Sequence, residues 1–165
     1  MMIHSYLDSP IGRLLLTGDG NSLTGLYPPE HVRLPAPPGT RDDQAFAEVH
    51  RQLAEYFAGD RLDFALPLAP VGTEFQRRVW HRLARIPLGQ TRSYRELAVE
   101  VGNPLAVRAV GTANGRNPIS IVVPCHRVIG STGGLTGYAG GLAAKRWLLD
   151  HESRIIARQP VSSAG

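Results

Sequence analysis

Residues 93–115, SYRELAVEVGNPLAVRAVGTANG, carry the pattern that decides the fold. Ser93 stands three residues before Glu96, a capping box in which each side chain satisfies a free amide at the start of a helix. The helix it opens is predicted to run through Val101 and to stop at Gly102. Asn103 is a good cap and Pro104 suits a first helical position, so a second helix is predicted to start at once, reach about Asn114 and end at Gly115. Two short helices joined through Gly102-Asn103 have the outline of a helix-turn-helix.

The same chemistry extends outward. Upstream, Thr73-Glu74-Phe75-Gln76 is another capping box, and Phe75, Val79, Leu83 and Ile86 form a buried stripe before Pro87 and Gly89 stop the helix. Downstream, the apolar run Ile119–Val123 reads as a strand ending at Pro124-Cys125-His126-Arg127. A Gly-rich loop, Gly130–Gly141, leads to a last helix, Leu142–Glu152, and the tail Ser153–Gly165 is expected to fray. Toward the N-terminus, Ile3–Leu7, Arg13–Thr17 and Ser22–Leu26 read as strands joined by Ser-Pro-Ile-Gly and Gly-Asp-Gly-Asn turns. Pro28–Gly39 holds five prolines and reads as a loop. Phe46, Val49, Leu53 and Phe57 mark an amphipathic helix over Asp42–Phe57 that closes at Gly59. Phe64–Leu68 reads as a further strand, which Pro67 would place at an edge. Pro67–Gly72 is the natural boundary, giving units 1–70 and 71–165. The expected fold is α/β of the α+β kind: a small N-terminal antiparallel sheet with a helix, then a mainly helical unit containing the helix-turn-helix. No internal repeat is present.

A chain of 165 residues suits one compact domain or two small ones. With 42% hydrophobic and 19% charged residues it belongs with globular rather than disordered chains. No apolar run reaches the roughly 18 residues of a membrane span, and residues 1–10 lack the apolar core of a leader, so a cytosolic protein with no membrane partner is expected. The single cysteine, Cys125, excludes an internal disulfide framework and any multi-cysteine metal site. Charge is uneven: residues 1–70 carry 5 basic against 9 acidic side chains, residues 71–165 carry 13 against 5. The asymmetry suggests that the second unit meets a polyanion. All the basic residues except Lys145 are arginine, which a biased genome produces without any functional reason, so charge alone leaves a nucleic-acid partner undecided.

A lone cysteine after three apolar residues is ordinarily a small buried hydrophobe. The company of Cys125 argues otherwise, because Pro124 before it and His126-Arg127 after it are poor material for a buried strand. The run reads as a strand delivering a thiol to a polar pocket. Only a few per cent of a free thiol is ionised at neutral pH, yet that fraction is strongly nucleophilic. His126 can act as its base, directly or through water, if a carboxylate fixes its tautomer.

Pro124-Cys125-His126-Arg127-Val128 resembles the active-site motif of the O6-alkylguanine-DNA alkyltransferases, the methylated-DNA–protein-cysteine methyltransferases. Upstream the resemblance includes Arg92-Ser93-Tyr94, Asn103-Pro104, Arg108-Ala109-Val110-Gly111 and Asn117-Pro118-Ile119. Downstream it includes Gly137-Tyr138-Ala139-Gly140-Gly141-Leu142, Lys145 and Trp147-Leu148-Leu149-Asp150-His151-Glu152. It is dense over residues 73–152 and weaker over 1–70, where the family carries a variable domain. One tetrapeptide is a modest signal; six stretches at consistent spacing are a strong one.

The resemblance implies direct-reversal DNA repair, in which the alkyl group on O6 of guanine in duplex DNA, with O4 of thymine as a second candidate, passes once and irreversibly to the protein. Cys125 would be the acceptor. His126 would draw its proton through a water and be oriented by Glu152. Asn117 would be the hinge tying the active-site loop to the helix-turn-helix. Tyr94 would donate to the purine ring and help turn the target phosphate, and Tyr138 would line the pocket and stack on the base. Backbone groups at Val128 and Ala139, with Gly140 beside them, would read the base edge. The family often has serine at the position of Ala139, so a side-chain role there is absent.

The base must leave the duplex, at a cost of a few kcal/mol. The resemblance places the second helix of the helix-turn-helix in the minor groove, with Arg108 as the finger that fills the vacated stack. Ala106, Ala109 and Gly111 form a small-residue face that permits close approach, and Val107 stands where alanine is commoner. Arg92 and Arg116 would contact phosphates without reading sequence. The product, S-alkylcysteine, is a thioether and a poor leaving group, and no second thiol exists to accept the alkyl group; each molecule should react once. Neither metal nor organic cofactor is expected, since family members with an N-terminal zinc site use cysteines that this chain lacks. A monomer in solution is expected, with cooperative assembly on DNA left open. The alternatives are a non-catalytic helix-turn-helix DNA-binding or damage-sensing protein, against which Cys125 argues, and a cysteine hydrolase, which would turn over.

Overall fold

The computed structural model describes residues 1–130 and 137–160. Residues 131–136 of the Gly-rich loop and 161–165 of the tail lie outside the described residues. Strands β1 (Ile3–Ser9), β2 (Gly12–Gly18) and β3 (Leu23–Tyr27) form an antiparallel meander in that order. The register pairs Ile3 with Gly18 and Ser9 with Gly12, so the turn at residues 9–12 is tight, and Gly12 supplies its left-handed residue at φ 103°. After the proline-rich loop, a 3-10 turn (Gln44–Phe46) leads into α1 (Ala47–Ala58). The helix therefore starts later than its apolar stripe suggests. It ends as the stripe predicts, with Gly59 left-handed and amides 59 and 60 bonded to the carbonyls of Tyr56 and Glu55. Phe64–Leu68 is not a strand; it meets the sheet only at a bridge between Leu68 and Leu23.

Helix α2 (Glu74–Leu83) opens on the Thr73–Gln76 capping box, and α3 (Tyr94–Glu100) on that of Ser93 and Glu96. Between them lies β4 (Arg92–Ser93), which pairs in parallel with β5 (Val128–Ile129), an element the sequence reading lacked. Helix α4 (Val107–Gly115) begins three residues after Pro104 rather than at it. Asn103 is used differently: its amide bonds to the Ala98 carbonyl and that of Gly102 to Val99, closing α3 in a Schellman turn with Gly102 at φ 81°.

The run Ile119–Val123 is not a strand either. Only Ile119 pairs with the sheet, at Leu26, after which Ile121 turns left-handed at φ 73° and amides 122 and 123 fold back onto the carbonyls of Ser120 and Ile119. Cys125–Arg127 forms a 3-10 turn. The last helix, α5, spans Leu142–Arg158, so Glu152 sits in its interior rather than at its end, and residues 153–158 are helical rather than frayed. One apolar cluster joins the sheet (Leu14, Leu16, Leu26), α1 (Leu53), α2 (Val79, Leu83), α4 (Val110) and α5 (Leu148, Ile155). Among the described residues no helix is long and apolar enough to cross a membrane.

Candidate active site

The site is built where the folded-back segment before Cys125 meets α5. Asn117 fixes that segment: its side-chain amide donates to the Val123 carbonyl at 2.7 Å, and its carbonyl oxygen accepts the Ile119 amide at 3.0 Å. The expected hinge residue thus staples the backbone on both sides of the left-handed Ile121. Cys125 follows directly and is 4% exposed. Burial pushes its thiol pKa up, while the Asn117 amide and the Lys145 charge favour the thiolate.

His126 is fully buried, and its Nε2 lies 2.7 Å from Glu152 Oε2. An ionised carboxylate only accepts, so Nε2 carries the proton and donates it, leaving the lone pair on Nδ1. Nδ1 is buried without a hydrogen-bond partner. Burial lowers the His126 pKa, against the pull of Glu152. Burial alone would raise that of Glu152, but His126 beside it and Arg127 outweigh this and hold it well below the ordinary carboxylate range. Arg127 grips both oxygens, Nε to Oε1 at 2.8 Å and Nη2 to Oε2 at 3.0 Å, and gives a third bond to the Ile86 carbonyl at 2.6 Å. It is internal, not a surface contact. A fourth donor reaches Glu152: the Tyr56 hydroxyl, at 2.6 Å from Oε2.

Two further groups crowd the thiol. The Tyr138 hydroxyl is buried beside Cys125 and Ser120, without a hydrogen bond of good geometry, and burial pushes its pKa far up. Lys145 is fully buried and donates from Nζ to the Val128 carbonyl at 2.7 Å. The carbonyl of Ala139 is held by the Val32 amide at 2.8 Å. Gly140 has no room for a side chain, since a Cβ there would sit 2.7 Å from the Tyr138 ring and 3.1 Å from Pro28. Among the described residues no group of three or more His, Cys, Asp or Glu side chains is arranged to hold a metal ion.

The helix-turn-helix residues lie on α3 and α4. Tyr94 opens α3 half-buried, and Gly111 of α4 lies against its ring, 3.5 Å from Cδ1 measured from where a Cβ would stand. Arg108 and Ala109 are exposed on α4, and Ala106 is half-buried at its cap. Arg116 is exposed just past the helix end. Arg92 is differently placed: its Nε donates to Glu100 at 2.8 Å and its Nη1 to Gln90, so an internal ion pair already engages it. The sequence reading missed Tyr56 altogether and gave Lys145 no role.

Residues 74–154 match the family model described as 6-O-methylguanine DNA methyltransferase, DNA binding domain, and residues 2–70 match that family's ribonuclease-like domain. A methylated-DNA–protein-cysteine methyltransferase of Mycobacterium leprae is 54% identical over 157 residues, 94% of this chain and 95% of that protein. The chain belongs to the 6-O-methylguanine DNA methyltransferase family. A methyltransferase of the same name from Methanosarcina acetivorans is 49% identical over 92% of this chain and 98% of that protein. Among solved structures, Mycobacterium tuberculosis OGT in complex with DNA superposes with a TM-score of 0.86 at 48% identity, covering 92% of this chain and 93% of that one. The likeness to this methyltransferase family spans both the sheet-bearing and the helical parts of the chain.

Proposed function

We propose that this chain repairs alkylated duplex DNA by moving the alkyl group from O6 of guanine to Sγ of its own Cys125, once per molecule. The observation that carries the reading is the hydrogen-bond chain at the thiol: His126 donates Nε2–H to Glu152, which leaves the Nδ1 lone pair on the residue next to Cys125. Nδ1 takes the thiol proton, directly or through one water. The thiolate attacks the alkyl carbon in line from about 3–3.5 Å, the S–C bond forms as the C–O6 bond breaks, and the electron pair leaves with the guanine. The resulting guanine anion is stabilised by donors, Tyr94 among them, and takes up a proton. Tyr138 packs against the base, and the backbone at Val128, Ala139 and Gly140 meets its edge. The thioether product is neutral and offers no leaving group, so the protein is consumed.

Duplex DNA is the partner, residues 71–165 being the binding and transferring unit and 1–70 its N-terminal companion. The exposed Arg108 and the small residues Ala106, Ala109 and Gly111 suit a helix pressed into the minor groove, with Arg108 filling the space of an extruded nucleotide. Arg116 suits a phosphate contact better than Arg92, whose guanidinium is already paired.

Intact-protein mass spectrometry after incubation with duplex DNA carrying O6-methylguanine tests the reading. The expected result is one added methyl on Cys125 and one equivalent of repaired guanine; unchanged mass, or several product molecules per protein, overturns it. Arg108→Ala is expected to slow transfer from duplex DNA by at least about tenfold, since the finger offsets part of the few kcal/mol of extrusion, while transfer from the free O6-methylguanine base stays near the parent rate. Equal loss on both substrates removes the finger role.

A further inference from the structure

We propose that Tyr56, on α1 of the N-terminal unit, is a positioning residue of the transfer relay, its hydroxyl holding and sharing the Glu152 carboxylate that orients His126. This rests on the reading of Cys125 and His126 above. Glu152 Oε2 accepts three bonds, from Tyr56 at 2.6 Å, His126 at 2.7 Å and Arg127 at 3.0 Å, whereas Oε1 accepts from Arg127 at 2.8 Å. Tyr56 is thus placed on the very oxygen that takes the imidazole proton.

The grip is double. The main-chain carbonyl of Tyr56 accepts from Nε2 of His151 at 2.7 Å, so one residue of α1 holds two successive side chains of α5. Its ring, 1% exposed, packs against Phe57, Phe64 and His151 with centroids 5.2–5.4 Å away. A tyrosine that merely filled the core would need some acceptor for its hydroxyl; here the acceptor is the carboxylate of the relay. Burial and the Glu152 charge push the phenol pKa far up, so the hydroxyl remains a donor.

The consequence is electrostatic. A carboxylate oxygen already engaged by Tyr56 pulls less on the Nε2 proton and stabilises an imidazolium less, which keeps His126 neutral with its Nδ1 lone pair available. The charged and titratable groups facing His126 are Glu152, Arg127 and Lys145, with Cys125 next to it in the chain; those facing Tyr56 are Glu152, Arg127, Tyr138 and His151. Removing the Tyr56 hydroxyl changes one of these interactions and leaves the others in place.

The test compares the full-length protein with Tyr56→Phe in two readouts: the ring-nitrogen NMR shifts of His126 against pH, and single-turnover methyl transfer across about pH 5 to 9. Without the hydroxyl the His126 titration is expected to move up by about half a unit to one unit, and transfer at the acid end to fall about three- to tenfold, with duplex binding unchanged. Installing 3-fluorotyrosine in place of Tyr56, a stronger donor of nearly the same shape, is expected to move the titration the other way. A His126 titration that stays in place, with transfer equally slow or equally fast at every pH, overturns the proposal and leaves Tyr56 a packing residue. Failure of the unsubstituted protein to take up methyl at all would instead overturn the function on which the proposal rests.

Discussion

Replacing Cys125 by serine or alanine is expected to abolish alkyl transfer, by at least about 10⁴-fold, because it removes the single thiol of the chain. A serine hydroxyl in the same buried place does not ionise in the accessible range, whereas the Asn117 amide and the Lys145 charge offset part of the burial that pushes the Cys125 thiol pKa up. Duplex DNA binding should stay within about twofold of the parent, since Cys125 is buried while Arg108 and Arg116 are exposed, and non-specific binding is dominated by phosphate contacts. Fluorescence anisotropy for binding and intact mass for transfer separate the two. Binding lost in parallel with transfer contradicts this division of labour.

The second large effect is expected at Glu152. Its carboxylate accepts four bonds from Arg127, His126 and Tyr56, all buried, so Glu152→Gln leaves the Arg127 guanidinium without its counter-charge. Breaking such a pair costs about 3–5 kcal/mol, read as a fall in the urea midpoint. Transfer should slow by about 10²–10⁴-fold, because an amide no longer imposes the Nε2–H tautomer on His126. Stability and chemistry can be separated by adding Arg127→Met, which removes the orphaned charge. The double variant is expected to regain much of the stability and none of the rate. A double variant that transfers at the parent rate would show that the carboxylate has no part in the chemistry.

The parts of the fold that local chemistry controls were legible. Thr73 and Ser93 cap their helices as their spacing predicts, and Gly59 ends α1 in the left-handed conformation. Where two local signals competed, the reading went astray: Asn103-Pro104 looks like a helix start, but Asn103 is already used to close the preceding helix. The run Ile119–Val123 is apolar because it is buried, and composition cannot distinguish a buried strand from a chain folded back on itself. The Asn117 side chain, acting from outside the run, imposes the turn at Ile121. The extension of α5 past Glu152 did leave a signal, since Ile155 lies seven residues after Leu148 and continues the buried stripe, with no Gly or Pro before Gln159 to stop the helix.

The site divides in the same way. Cys125, His126 and Asn117 were readable from a compact motif, and the structure brings them together with Glu152 and Tyr138. Tyr56 was not, since its partner lies 96 residues away and the α1 stripe of Phe46, Val49, Leu53 and Phe57 passes one residue to its side. Lys145 did leave a signal. It is the one lysine in a chain otherwise served by arginine, and its compact ammonium reaches the buried Val128 carbonyl without the space a planar guanidinium fork requires.

The amides of Leu26 and Ser120 and the carbonyls of Pro118 and Leu26 form a reciprocal clasp between the sheet and the segment leading to the thiol, and the Val32 amide holds Ala139 beyond it. A hybrid that joined the first seventy residues of one relative to the remainder of another would therefore have to carry both halves of that clasp. Recombination at the apparent seam is constrained by backbone geometry that neither half encodes alone.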